Sequence, residues 1–262
     1  MRIAVCVKQV PSGAADMDAQ SGVLLRSGAG GIILNPWDLP AIEAALRAAE
    51  AFGTEATALS MGPASAGEAL REALAMGVGR GVLLCDQAFS GADVYATAYT
   101  LAEGMKALGG FDLVFCGLRT ADGDTAQLPF SLAVQLGAHA AGWVKRIERV
   151  DECGVTVLQE LSFGTQRLTL PYPAVIALGR EAAEPRAPTL KNRLAARKAR
   201  IETISMSRLA NRDEACYGLA ASPTRVVRVF KNDVAQITKP LGIGAREAAA
   251  LLLREMEEAQ HG

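Results

Sequence analysis

The first 137 residues alternate two hydrophobic periods, and no other feature of the chain constrains its fold as strongly. Short apolar runs of strand length are separated by longer stretches whose apolar residues recur at helical spacing, the pattern of βαβ units around a parallel sheet. Residues 3–10 form the first run, followed by a Gly- and Ser-rich stretch to Gly31 with a small hairpin expected around Gly22-Val23-Leu24-Leu25. A helix is predicted to start at Asn35-Pro36-Trp37-Asp38. Asn35 offers a cap for free amides, Pro36 suits the first helical position, and Asp38 complements the positive helix end. Leu39, Ile42, Leu46 and Ala49 give that helix its apolar face, and Gly53 ends it.

The same grammar repeats. A run over 55–61 precedes Gly62-Pro63, which opens a helix with Ala66, Leu70, Ala73 and Leu74 on one face and Gly77 as its stop. Residues 81–85 are the third run, 93–108 a helix, and 111–116 a fourth strand almost continuous in apolar residues, as buried parallel strands are. After a helix over 127–136 the pattern changes. Runs at 144–150, 155–161 and 166–170, joined by short turns, predict an antiparallel extension, and 174–178 reads as one more buried strand. From 179 to about 221 the composition turns polar and basic, predicting an extended arm with a short helix, and a strand at 226–230 and an amphipathic helix at 245–259 finish the chain. The expected class is α/β, doubly wound, with a mainly parallel sheet, an antiparallel extension and an extended C-terminal arm. A length of 262 residues suits one main domain with an appendage. The divisions expected are a nucleotide-binding domain over 1–179, a partner arm over 180–204 and a C-terminal arm over 205–262.

Charge narrows the function. Twenty-seven basic against 28 acidic residues supply no global field for nucleic acid or an anionic membrane, so neither is an expected partner. No apolar run reaches the ~18 residues of a membrane span, and the opening Arg2-Ile3-Ala4-Val5-Cys6-Val7 is too short and wrongly flanked for a signal peptide. A cytoplasmic location is the expectation. The cysteines Cys6, Cys85, Cys116, Cys153 and Cys216 are odd in number and far apart, with only His139 and His261 to join them as ligands. Neither a metal centre nor a disulfide framework is expected, and three of the five read as small hydrophobes in buried strands.

Ligands of open α/β sheets bind beyond the carboxyl ends of the strands. Four such ends meet unusual loops: Lys8-Gln9-Val10-Pro11, Asn35-Pro36, Met61-Gly62-Pro63, and the run Gly117-Leu118-Arg119-Thr120-Ala121-Asp122-Gly123-Asp124-Thr125. In the last, Gly117 permits close approach of a ligand to backbone and Gly123 permits positive φ. Asp124 or Thr125 offers a cap for the next helix, whose free amides face an anion, and Arg119 supplies a charge for phosphate. The same residues also fit a tight turn before a capped helix with no ligand at all. Asp122 and Asp124 could pair around Mg²⁺ or as an acid/base dyad, but no third carboxylate or nucleophile accompanies them. Ser27-Gly28-Ala29-Gly30-Gly31 follows no strand directly and reads as a loop rather than a dinucleotide fingerprint. Lys191, Arg193, Arg197, Lys198 and Arg200 form a basic run without an acid. It fits a solvated helix face or a docking surface for an acidic partner, and RNA less well, since no aromatic residue interleaves it.

In order and spacing these pieces resemble the β subunit of electron-transfer flavoproteins, a family that includes subunits of nitrogen-fixation and anaerobic bifurcating complexes. The matching residues are Val7-Lys8-Gln9-Val10-Pro11, Asn35-Pro36-Trp37-Asp38, Met61-Gly62-Pro63, Ala73-Leu74-Ala75-Met76-Gly77, the loop 117–127 and Glu184-Pro185-Arg186 ahead of Leu190. The resemblance implies a heterodimer with an α subunit that carries an FAD, while the β subunit binds AMP or, in bifurcating members, a second FAD. Asp122-Gly123-Asp124-Thr125-Ala126-Gln127 is similar to the bifurcating form, so FAD is the expected cofactor and NADH an expected electron donor. By the same resemblance Cys6, Asn35, Met61, Gly117, Arg119, Asp122, Gly123, Asp124, Thr125, Ala126 and Gln127 line the nucleotide pocket. Leu190, with Arg197 and Lys198, docks an acyl-CoA dehydrogenase-like or other flavoprotein partner, and the C-terminal helix docks on the α subunit. No catalytic side chain is implied, because the redox chemistry belongs to the flavin. Leu128-Pro129-Phe130 departs from the family's Val-Gly-Pro, and Ala195 stands where a lysine is common. Two other readings stay open: a stand-alone nucleotide-binding regulator or adenylate-using enzyme, and a structural subunit with a degenerate pocket.

Overall fold

Ile3–Cys6 (β1) is buried along its whole length and lies at the middle of the architecture. In the computed structural model the described residues are 1–12, 16–17, 24–25, 31–225 and 242–260. They fall into two units, Met1–Val229 and Phe230–Gly262. In chain order the first unit continues with β2 (Gln9–Pro11), β3 (Asp16–Met17), β4 (Leu24–Leu25), β5 (Ile32–Leu34), α1 (Leu39–Ala51), β6 (Ala56–Met61), α2 (Gly67–Met76) and β7 (Arg80–Leu84). Then come α3 (Val94–Ala107), β8 (Leu113–Gly117), α4 (Leu128–Leu136), β9 (His139–Val150), β10 (Val155–Leu161), β11 (Gly164–Leu170), β12 (Ala174–Leu178), α5 (Leu190–Lys198), β13 (Glu202–Ile204) and α6 (Gly218–Ala221).

Nine strands make one sheet in the order β11-β10-β9-β12-β8-β1-β6-β7-β13. From β9 to β13 every neighbouring pair is parallel, whereas β9-β10-β11 are antiparallel, the predicted extension. Side chains alternate across the pleat. Ile3, Val5, Phe115 and Ile176 therefore pack with α1 and α2 on one face, while Ala4, Cys6, Val114, Cys116 and Val175 pack with α3 and α4 on the other. The sheet is doubly wound.

Two expectations are corrected. The run over 3–10 splits after Cys6, because Val7 is the last residue to donate to β6, at Leu59 O, and Lys8 N turns to the Asp38 carboxylate. Residues 9–11 then pair with β5 in a separate ladder. At the other edge, 202–204 join the sheet beside β7 as β13, which the arm's polar composition concealed. Of the hairpin expected near residue 22, Leu24-Leu25 pair with Asp16-Met17, while Gly22 and Val23 lie outside the described residues. The strand expected at 226–230 also lies outside them. In the second unit Ala245–Gln260 (α7) is a helix that exposes Leu252, Leu253 and Met256. No described helix is long and apolar enough to cross a membrane.

Candidate functional site

The chain runs β1, β6, β7 in one direction, then α3 carries it back past β1 to β8. The carboxyl ends of β1 and β8 are thus a topological switch point, where the following loops diverge and leave a crevice. Cys6 and Cys116 face each other in register at this place. The Cys116 thiol is hydrogen-bonded to Cys6 and buried, which pushes its pKa up and keeps it a neutral wall rather than a nucleophile.

Asn35 ties the crevice together. It is wholly buried, and instead of capping a helix its Nδ2 donates to Asp38 Oδ1 (2.9 Å) and to Arg119 O (2.9 Å) while its Oδ1 accepts from Ala121 N (3.3 Å). Pro36 fixes the next φ, so a short 3₁₀ turn over Pro36–Asp38 leads into α1 and brings Asp38 under the loop after β8. Asp38 is 4% exposed and accepts from Lys8 N (2.8 Å) as well. Burial pushes its pKa up to about 7, against the pull of Lys8 and Asn35. The Lys8 ammonium reaches across the switch point to Asp122 (2.7 Å). Burial alone would raise the Asp122 carboxyl, but Lys8 outweighs it and holds the group below its ordinary value.

Gly117 has a different cause from the one expected. A Cβ there would strike Asp38 Oδ1 and lie 2.6 Å from Trp37 O, so the bare backbone admits the 36–38 turn. Positive φ falls on Asp124 (43°) and Ala126 (54°) and not on Gly123. Neither Asp124 nor Thr125 caps α4. Gln127 holds the cap position without a side-chain bond, and Asp124 instead pairs with Arg119 (3.3 Å). The first turn of α4 therefore keeps the amides of Leu128 and Phe130 free of side-chain caps, Pro129 between them having none, and this is an anion-binding end. Where the family has Val-Gly-Pro, Phe130 packs on Gly142 and stacks on Trp143 with centroids 5.9 Å apart. Trp143 adopts φ 49° at the register shift between β9 and β12.

The structure thus joins Asn35, Gly117, Arg119, Asp122, Gly123 and Asp124, with Thr125, Ala126 and Gln127 leading into α4. Cys6 floors the same edge, and Met61 ends the adjacent β6 on the face of Cys6. Lys8 and Asp38 were missed as site residues. Lys8 stood in a strand-end motif that could have flagged it, whereas the burial of Asp38 had no sequence signal. Leu190, Arg197 and Lys198 are exposed on α5, which packs on α2. The root of that arm is clamped where Arg186 donates to Glu43 (2.8 Å) and Glu50 (2.5 Å). Burial raises the Glu43 carboxyl, but bonds from Arg186 and Arg47 prevail and hold it below the usual range.

Comparison with known proteins places this geometry. Residues 21–209 match the electron transfer flavoprotein domain. The chain is 37% identical over 238 residues to the electron transfer flavoprotein subunit beta of Megasphaera elsdenii, covering 88% of this chain and 87% of that one. It is 37% identical over 264 residues to the caffeyl-CoA reductase-Etf complex subunit CarD of Acetobacterium woodii, covering 98% of both. Protein FixA of Azorhizobium caulinodans is 38% identical over 237 residues, 88% of this chain and 84% of that one. A doubly wound sheet with tied loops at its switch point, matched over most of its length by these relatives, makes this chain a member of the electron transfer flavoprotein family, among its β subunits.

Proposed function

We propose that this chain pairs in the cytoplasm with an electron-transfer flavoprotein α subunit, which carries its own FAD, and holds a second FAD in the crevice between β1 and β8. The heterodimer passes electrons between a dehydrogenase or NADH and a downstream acceptor. The observation that carries this reading is the tying of three strand-end loops by Asn35 and the Lys8–Asp122 pair. Such ties cost conformational entropy and hold a loop in one shape, the preorganisation a bound nucleotide requires.

The residues fit a dinucleotide. Uncapped amides at the start of α4 suit a diphosphate, and Lys8 and Arg119 bring cations already balanced by Asp122 and Asp124. Ser60 Oγ, buried beside Met61 at the end of β6, has no hydrogen-bond partner among the described residues, and a nucleotide seated there would supply one. The electron chemistry, including acceptance of a hydride from NADH, would be supplied by FAD when bound. The chain's own residues position it. Asp38 exchanges a proton near neutrality, so the crevice floor carries less than a full negative charge beside the phosphates. Cys6 and Cys116 offer a buried, apolar wall. In this reading residues 1–179 bind the nucleotide, 180–204 meet an acyl-CoA dehydrogenase-like flavoprotein through Leu190, Arg197 and Lys198, and the helix within 205–262 docks on the α subunit.

The test is a count of nucleotides released by denaturing the purified heterodimer. Two FAD per heterodimer is expected. One FAD with one AMP removes NADH oxidation from this subunit and leaves it a carrier, and a stable ATP-binding monomer overturns the reading.

A further inference from the structure

The arm presents Leu190 and Leu194, 74% and 52% exposed and one helical turn apart, yet little holds the helix that carries them. Of the residues of α5 only Ala196 is buried. A helix of nine residues is too short to be stable by itself. Beneath it, described residues of α1, α2, the β5 end and the arm leave a cavity of about 530 Å³ where Leu34, Leu39 and Met76 meet Glu68, Glu72 and Arg193, so beyond Ala196 the apolar packing of α5 on α2 is incomplete. What grips it is Arg71 on α2. Its Nη1 donates to the carbonyls of Ala196 (3.0 Å), Arg197 (3.3 Å) and Ala199 (2.9 Å), the last turn and cap of α5. Its Nε donates to Glu68 Oε1 (3.2 Å), which aims the guanidinium along α2. The Ala196 carbonyl also accepts from Ala199 N (3.2 Å), whereas those of Arg197 and Ala199 lie past the last intrahelical bond, where a cation also meets the negative end of the helix dipole. The N-terminal end is closed separately, by Thr189 Oγ1 accepting from Asn192 N.

We infer that Arg71 is a positioning residue for partner recognition: by gripping the last turn of α5 from another helix, it holds the Leu190–Leu194 stripe in docking shape before any partner arrives. The inference rests on the arm being the docking segment, as proposed above. Because Arg71 touches carbonyls and not the partner, its loss raises the cost of ordering the arm at the moment of binding. The effect falls on association, not on electron transfer once bound.

The experiment uses the heterodimer carrying Arg71→Met, Arg71→Lys or Leu190→Ala, with a purified acyl-CoA dehydrogenase flavoprotein as the probe. Amide exchange over 193–199 reads the helix directly. Arg71→Met is expected to lower protection there about tenfold and to raise the KM for the probe about tenfold, with kcat and bound-FAD content unchanged. Arg71→Lys, whose ammonium keeps the charge and three donors but lacks the Nε bond to Glu68 that aims the head group, should fall between. Leu190→Ala is expected to raise KM while leaving amide protection intact. Unchanged protection in Arg71→Met overturns the grip, and lost protection with unchanged KM overturns the positioning role. A Leu190→Ala heterodimer with wild-type KM, or a wild type that shows no saturable reaction with the probe, overturns the docking reading instead and the inference with it.

Discussion

Replacing Asn35 by alanine removes its three side-chain bonds, one to Asp38 within the turn and two that join the turn to the loop after β8. Their losses are unequal. Asp38 is buried and carries charge for part of the time at neutral pH, so a lost donor to it costs about 2 kcal/mol. Arg119 and Ala121 are exposed residues, where water repays most of the loss, leaving about 0.5 kcal/mol each. The sum is about 3 kcal/mol, a large part of a domain's net stability. In urea unfolding of the nucleotide-stripped protein the midpoint should drop by about 1 M at unchanged slope. The two loop bonds, about 1 kcal/mol together, should also weaken nucleotide binding about fivefold by titration calorimetry. A loss under about 1 kcal/mol with wild-type nucleotide affinity would refute the claim that Asn35 staples the crevice.

Three further outcomes follow from the same geometry. Asp38 has its folded pKa raised from 3.8 to about 7, so the folded protein keeps a proton that the unfolded chain has released. Stability therefore falls as pH rises from about 4 to 7, by about 4 kcal/mol in all; Asp38→Asn should abolish that fall in Tm measured against pH, and a parallel pair of curves would refute the assignment. Gly117→Ala drives a methyl group into Asp38 and Trp37 O and should cost about 1–3 kcal/mol by chemical denaturation. Lys8→Met leaves the mostly buried Asp122 without its cation, and since Lys8 is itself more than a third exposed the loss is about 1 kcal/mol. Asp122 has a depressed pKa, so that contribution is present above its ordinary value of 3.8 and is lost as pH falls through the lower folded value. A Lys8→Met protein whose deficit does not shrink as pH is lowered below 3.8 would contradict it.

The parallel sheet was legible because its strands are buried on both faces and read as apolar runs, as in 113–117 and 174–178. β13 was not. It is an edge strand whose Glu202 pairs with Arg80 and Arg208 at the surface, so its sequence Glu-Thr-Ile looks like loop. Asn35 before a proline carries every sign of a helix cap, and nothing local says that its amide instead bonds a loop 84 residues on. Gly117 was noticed for the right property and the wrong neighbour, because the turn that fills its space arrives from far away in sequence. In each case the loop's place in the chain was readable, and the long-range partner that gives it purpose was not.

The central claim is that the loop after β8 and the ends of β1 and β6 hold one nucleotide. A crystal structure of the heterodimer as purified tests it most directly. Density is expected for a dinucleotide whose diphosphate lies on the main chain between Asp124 and Leu128, with Asn35 still bonded to Arg119 and Ala121. Density for the nucleotide elsewhere on this chain, or a crevice closed by its own side chains in a complex that retains both subunits, would contradict it.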